Sequence, residues 1–309
     1  MSDTPPEPHN WGRWGADDQI GTANLLTPDV VKGGAGAVAR GRVVSLSLPI
    51  KGSTSSNAPC TVPHLRGRPL PQHFMSIDGG DYLAGAKPPA GLSIADDALI
   101  VSPHGTTTHM DALCHMWNGD RLYNGHDSAR IRSYGALRCG IEQLPGIATR
   151  GVFLDVARHR GRDILDPADR IGAADLEAMC AAAGVTIGAG DAVVLRTGWT
   201  KQFYRSSETY WGGEPGLATD GALWLAARDV VAVAADNSAI CGLNADGGAD
   251  EELDGDIHMI FLWRHGIYLM EMLWLEELAE AAPATFQFVV APLKIVGGTG
   301  SPINPLAIL

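Results

Sequence analysis

From about residue 150 onward, short apolar runs alternate with helical periodicity. Gly151–Ala157 is a run long and apolar enough for a fully buried strand, and Ala174–Ala183 carries helical spacing with a Gly184 stop. Ala192–Trp199 reads as a strand closing in a Thr-Gly-Trp turn. Asp220 is placed to cap a helix through Ala227, and Val230–Asp236 reads as another strand. His258 opens an amphipathic helix stopped by Gly266, and Tyr268–Leu273 is an apolar strand with Glu271 inside it. Strands alternating with helices predict α/β layers.

The first half is less regular. Thr27 caps a short helix with Pro28 at its first position, ending near Gly33 and Gly34. Arg42–Pro49 alternates as a half-buried strand, and Ala98–Val101 reads as a short buried one. Leu122–Gly125 is a turn marked by Asn124-Gly125. Between Lys51 and Pro89 no period persists, and a connection of that length usually covers a site or packs on a neighbouring subunit. His64 and His73 fall there and read as ordinary loop residues. Trp11 and Trp14 are core anchors or part of a pocket wall. No internal repeat or linker divides the chain, so residues 1–10 are expected to be a flexible arm and 11–309 a single domain.

Composition narrows the classes. At 309 residues, with 45% hydrophobic and 19% charged, the chain can bury a substantial core and is not disordered. A net charge of −12 disfavours nucleic acid and anionic membrane surfaces as partners. Five scattered cysteines without a Cys-x-x-Cys pair argue against a disulfide framework or a zinc knuckle. The polar, proline-rich start Met1–Pro8 lacks the regions of a secretion signal, and no apolar run is long enough for a bilayer. A soluble, cytoplasmic protein is expected.

Candidate chemistry concentrates in Ser102–His115, where three of the ten histidines accompany one carboxylate. In an extended chain His109 and Asp111 project to one face and can share a divalent cation, with N/O ligation suited to zinc or manganese. His115 follows Asp111 closely enough to border a metal without holding it. Glu271 lies in Tyr-Leu-Met-Glu-Met-Leu, where an unpaired anion would be costly to bury, so either a metal or an arginine should partner it.

Thr108–His115 resembles the His-x-Gly-Thr-His-x-Asp-x-Pro-x-His signature of the metal-dependent cyclase family, which includes kynurenine formamidases and isatin hydrolases. The Trp11–Pro28 opening, Tyr123-Asn124-Gly125, the His258 and Glu271 pair in a Gly-Ile-Tyr-Leu-x-Glu context, and the Phe286–Leu293 and Gly300–Pro305 ending are similar to the family's longer, roughly 300-residue branch. The resemblance covers nearly the whole chain, least between residues 50 and 95. It implies a swivelling β/β/α domain, a homo-oligomer (dimer or tetramer) and a small-molecule substrate. It also implies a Zn2+ or Mn2+ site held by His104, His109, Asp111, His258 and Glu271, with His115 as the catalytic acid/base. His265 has no counterpart and reads as a surface or helix-end residue.

Two departures stand out. His104 precedes His109 by five residues where the family has four, and Gly105 holds the four-back position. Either a bulge returns His104 to the metal, or a single ion binds without it. Leu113 replaces the signature's proline. The activity implied is a metal-dependent amidohydrolase cleaving an aryl formamide, lactam or cyclic imide. The alternatives are a lactone or ester hydrolase or a cyclase-type lyase on the same metal, and a non-catalytic binding protein.

Overall fold

The computed structural model describes residues 4–51, 63, 67–87, 89–244 and 256–309. Its centre is a nine-stranded mixed sheet. The strands run in the order Val43–Ser45, Leu306–Ile308, Thr285–Val290, Ile147–Asp155, Ala192–Arg196, Ala232–Ala235, Tyr268–Glu271, His109–Asp111 and Gly300–Pro302. The four from Ile147–Asp155 to Tyr268–Glu271 are mutually parallel, and the flanking pairs are antiparallel. The inner parallel strands are buried on both faces, which is why they read as continuous apolar runs. Val193, Val194, Val233 and Leu269 are fully enclosed in this core.

Helix Ala173–Ala183 ends where anticipated, with Gly184 in the left-handed region at φ +64. Helix Pro28–Ala35 begins where Thr27 accepts from the Val30 N–H, with Pro28 in its first turn. His64 lies outside the described residues. His73 is on a strand rather than a loop, and its Nε2 meets Asp97 Oδ2 at 2.5 Å.

Several sequence expectations need correction. Asp96–Ile100 is a strand but not a buried one. Among the described residues it pairs only with Gln72–Ile77, in a separate ribbon whose Phe74, Met75, Leu99 and Ile100 are exposed because no other described layer covers it. Asp220 does not cap its helix; Ala218 occupies that position, and Asp220 instead accepts from the Ala173 N–H and ties two helix starts together. The segment after His258 is a seven-residue π-helix, Met259–His265, buried on every side rather than amphipathic. His265 is in its last turn and 4% exposed, not on the surface. Trp11 anchors the N-terminal segment on this helix, its indole donating to the Trp263 carbonyl at 2.6 Å. Asn10 is buried there too, donating from Nδ2 to the His265 carbonyl. Among the described residues no helix is long and apolar enough to cross a membrane.

Candidate metal centre

Strand pairing, not sequence proximity, assembles the site. His109–Asp111 lies between Tyr268–Glu271 and Gly300–Pro302, in a register that sets Glu271 opposite His109 and Gly300 opposite Asp111. His109 and Asp111, two apart on one strand, share a face as period-two alternation requires. Glu271 is the last residue of a parallel strand, so the cluster sits beyond the carboxyl end of the parallel sheet. Open α/β sheets commonly bind ligands at that edge.

His109 and Asp111 are completely enclosed, and Glu271 is 4% exposed. The His109 Nδ1 lies 2.8 Å from the Thr107 carbonyl, which can only accept, so Nδ1 carries the proton. In the neutral ring Nε2 keeps a lone pair, 3.2 Å from Glu271 Oε2 and 3.6 Å from Asp111 Oδ1. His258 directs Nε2 to 3.2 Å from Glu271 Oε1 and 3.7 Å from Asp111 Oδ2. His104 brings Nδ1 to 2.9 Å from Asp111 Oδ1, its other nitrogen 3.0 Å from Thr299 Oγ1.

The five-residue spacing does not keep His104 away. Residues 104–106 turn sharply, with Gly105 at φ +70, a conformation costly for any residue with a Cβ. The ring then stacks at 3.9 Å and 7° on His115. Gly300 makes the space: a Cβ there would lie 2.6 Å from His104 Cε1.

Two sets of ligand-type atoms converge within 4.8 Å, His104–His109–Asp111 and Asp111–His258–Glu271, with Asp111 common to both. The cluster thus brings together all five residues expected to hold metal, while His115 lies alongside and is in neither set. Among the described residues, both Asp111 oxygens, Glu271 Oε1 and His104 Nδ1 are buried without a hydrogen-bond partner, although nitrogens approach them. Buried carboxylate oxygens are rarely left so, and lone pairs facing one another fit a cation between them. The donor set, three imidazoles and two carboxylates, suits a divalent transition ion.

The electrostatics point the same way. Burial pushes Asp111 up, but His115, His104 and His109 together hold it well below the usual carboxylate range. Burial and Asp111 push Glu271 up, yet His109 and His258 leave it lowered. Burial works against protonating His258, but Glu271, Asp111 and Asp256 raise it to about 9. The field that attracts protons to these imidazoles would equally attract a cation, with release of protons as ligands are freed. His115 is the opposite case: burial, with His104 and His258 adding, lowers it to about 4 despite Asp111, so its imidazole is neutral at pH 7.

An open cavity of about 140 Å3 leads to the cluster, lined also by Arg68, Gly105, His115, Trp211 and Ser238. Sequence reasoning missed Arg68, Trp211, Ser238 and the supporting Thr299 and Gly300. Ser238 had a usable signal, standing just past the Ala232–Ala235 strand at the carboxyl edge. Arg68 lies in the aperiodic stretch, where no pattern marks it. Trp11 and Trp14 do not line this cavity.

The Cyclase family model matches residues 44–240. A solved structure described as a novel cyclase is 33% identical, with a TM-score of 0.87 over 97% of this chain and 99% of that one. Isatin hydrolase A from Labrenzia aggregata, bound to benzyl benzoate, is 21% identical with a TM-score of 0.62, over 90% of this chain and 97% of its own. A predicted metal-dependent hydrolase from Bacillus stearothermophilus is 20% identical with a TM-score of 0.51, over 86% and 97%. Comparison with curated proteins gives no match.

Proposed function

The chain belongs to the Cyclase family, and from that premise we propose that it is a metal-dependent hydrolase that cleaves a small-molecule C–N bond, in an aryl formamide, lactam or cyclic imide. The observation that carries the reading is the pair of buried carboxylates, Asp111 and Glu271, three of whose four oxygens lack a hydrogen-bond partner among the described residues while three imidazoles surround them. A purely structural cluster would satisfy those oxygens with N–H or O–H donors. The names of the two hydrolases sharing this fold support the same class.

His104, His109, Asp111, His258 and Glu271 would hold the metal, Zn2+ or Mn2+. A divalent ion there supplies Lewis acidity toward a carbonyl oxygen and lowers the pKa of water toward neutrality. The chain's own contributions are positioning and proton transfer. Thr107 fixes the His109 tautomer, and Thr299 orients His104. His115, neutral at pH 7, can accept the proton of the attacking water. It can then return that proton to the leaving nitrogen as the C–N bond breaks, giving amine and acid. A cavity this small limits the substrate to a compact one.

Dialysis against a strong chelator should abolish turnover in a screen of formamides, lactams, imides and lactones, and Zn2+ or Mn2+ should restore it. Full activity in protein shown to be metal-free would overturn the mechanism. Release of amine plus acid supports the amidohydrolase; turnover confined to lactones or esters, or elimination without hydrolysis, would replace it with the ester-hydrolase or lyase alternative. The proposal includes a cytoplasmic homo-oligomer, which sedimentation and fractionation test.

A further inference from the structure

Ser238 lines the cavity beside His115 and the metal-type cluster. Its hydroxyl donates to Glu214 Oε2 at 2.7 Å, and its backbone N–H donates to that same oxygen at 2.9 Å. A serine hydroxyl has one proton, so this bond leaves only lone pairs on Oγ for any other partner. Glu214 cannot easily turn away. It is 2% exposed, and its backbone N–H and carbonyl both pair with Leu243 at 2.9 Å.

When Glu214 is ionised both of its oxygens can only accept, so the Ser238 backbone N–H and hydroxyl both donate to Oε2 and the hydroxyl proton is held there. The substrate comparison is therefore made above pH 8, where the carboxylate prevails.

We propose that Ser238 is a specificity residue that accepts a hydrogen bond from the substrate's N–H and so selects amides and lactams over esters and lactones. The inference rests on the hydrolase reading and deepens it. Hydrolysis adds water across the C–N bond to give acid and amine, and Ser238 makes or breaks no bond in it. An amide presents a donor to this wall of the cavity, whereas an ester or lactone presents an oxygen lone pair to another lone pair. Sites built to bond a substrate N–H or O–H discriminate strongly against analogues lacking it, because the buried partner is left unpaired.

The test compares isosteric pairs, formanilide with phenyl formate and indolin-2-one with benzofuran-2-one, on the metal-loaded protein and its Ser238→Ala variant. Dividing each protein's kcat/KM for the nitrogen compound by that for the oxygen compound, then comparing the two quotients, cancels the intrinsic reactivity of the bonds. The quotient should fall about tenfold in Ser238→Ala, the effect of losing one hydrogen bond near the reacting group. A quotient unchanged by the substitution overturns the Ser238 assignment and leaves the hydrolase reading standing. Absence of turnover of all four compounds by the metal-loaded parent overturns the assignment together with that reading.

Discussion

Gly300→Ala tests whether the site depends on how closely a backbone strand can pass His104. The added Cβ would lie 2.6 Å from His104 Cε1, 2.9 Å from its Nε2 and 2.8 Å from the Met110 carbonyl. Comfortable carbon–carbon separation is about 3.5–4.0 Å, so something must move by roughly 1 Å. Gly300 cannot retreat, because its strand is paired to His109–Asp111 with Gly300 opposite Asp111, and Met110 is in that same partner. The imidazole must yield to clear Cε1 and Nε2, while the contact with the Met110 carbonyl falls on the strand pairing itself and costs stability. The ring then loses the 3.0 Å contact with Thr299 and swings Nδ1 from its place 2.9 Å from Asp111. Disturbing a ligand's support typically weakens metal binding about 10–100-fold, and overpacking costs about 1–3 kcal/mol of stability. Chelator-competition titration gives the affinity, elemental analysis the ions per chain, and thermal melting the stability. His104→Ala provides the control: if the methyl acts through the ring, adding Gly300→Ala to it should weaken metal binding little further. Parental affinity in Gly300→Ala, or full additivity in the double variant, would refute the reasoning.

Glu271→Gln keeps the side chain's shape but removes a charge from the cluster, so metal affinity should fall by at least about tenfold; parental affinity with a lower melting temperature would show instead that the carboxylate is only structural. His115→Ala should keep its metal and lose about 10²–10⁴ in amide turnover, and less for an activated ester whose leaving group needs no proton. Loss of metal in that variant would make His115 a ligand, and full amide activity would give its role to another residue. Burial, outweighing its bonds to Ser238, raises Glu214 from 4.5 to about 8. The unfolded chain therefore releases this proton first, and stability should fall as pH rises from about 4.5 to 8. Glu214→Gln should flatten that part of the melting-temperature profile, and an unaltered slope would refute the shift.

Local periodicity carried the elements whose surroundings are uniform. Val193 and Val194, or Phe286 and Phe288, are apolar because the sheet around them is buried, and the sequence around them shows it directly. The same logic exposed Glu271, since a carboxylate in an apolar strand demands a cation or a strong donor. It failed for Asp96–Ile100, whose apolar residues are not covered by any layer of the described fold. It also failed for Met259–His265, where complete burial erases the polar face that periodicity needs. Gly300 and Thr299 were invisible as site residues for another reason: they reach His104 across 196 and 195 positions, through strand register that no local pattern records.

His104 shows why residue spacing is a weak guide in a turn. Along a strand, position decides the face, so moving a ligand from an even to an odd offset would turn it away from its partners. His104 is not on the His109–Asp111 strand. It is reached through a turn in which Gly105 adopts φ +70 and Thr108 is tied to the backbone carbonyl of Met272 at 2.7 Å. The constraint on His104 is therefore where the turn returns the chain, and one residue more can be absorbed by a residue able to take a left-handed conformation. Gly105, which looked like an empty ligand position, is the residue that allows the longer path. Gly105→Ala leaves every candidate ligand in place yet strains that path by about 1 kcal/mol or more. It should weaken metal binding in the same direction as His104→Ala, measured by chelator competition. Metal affinity equal to the parent's would mean that the turn holds His104 without the left-handed residue, and that the extra position is accommodated elsewhere.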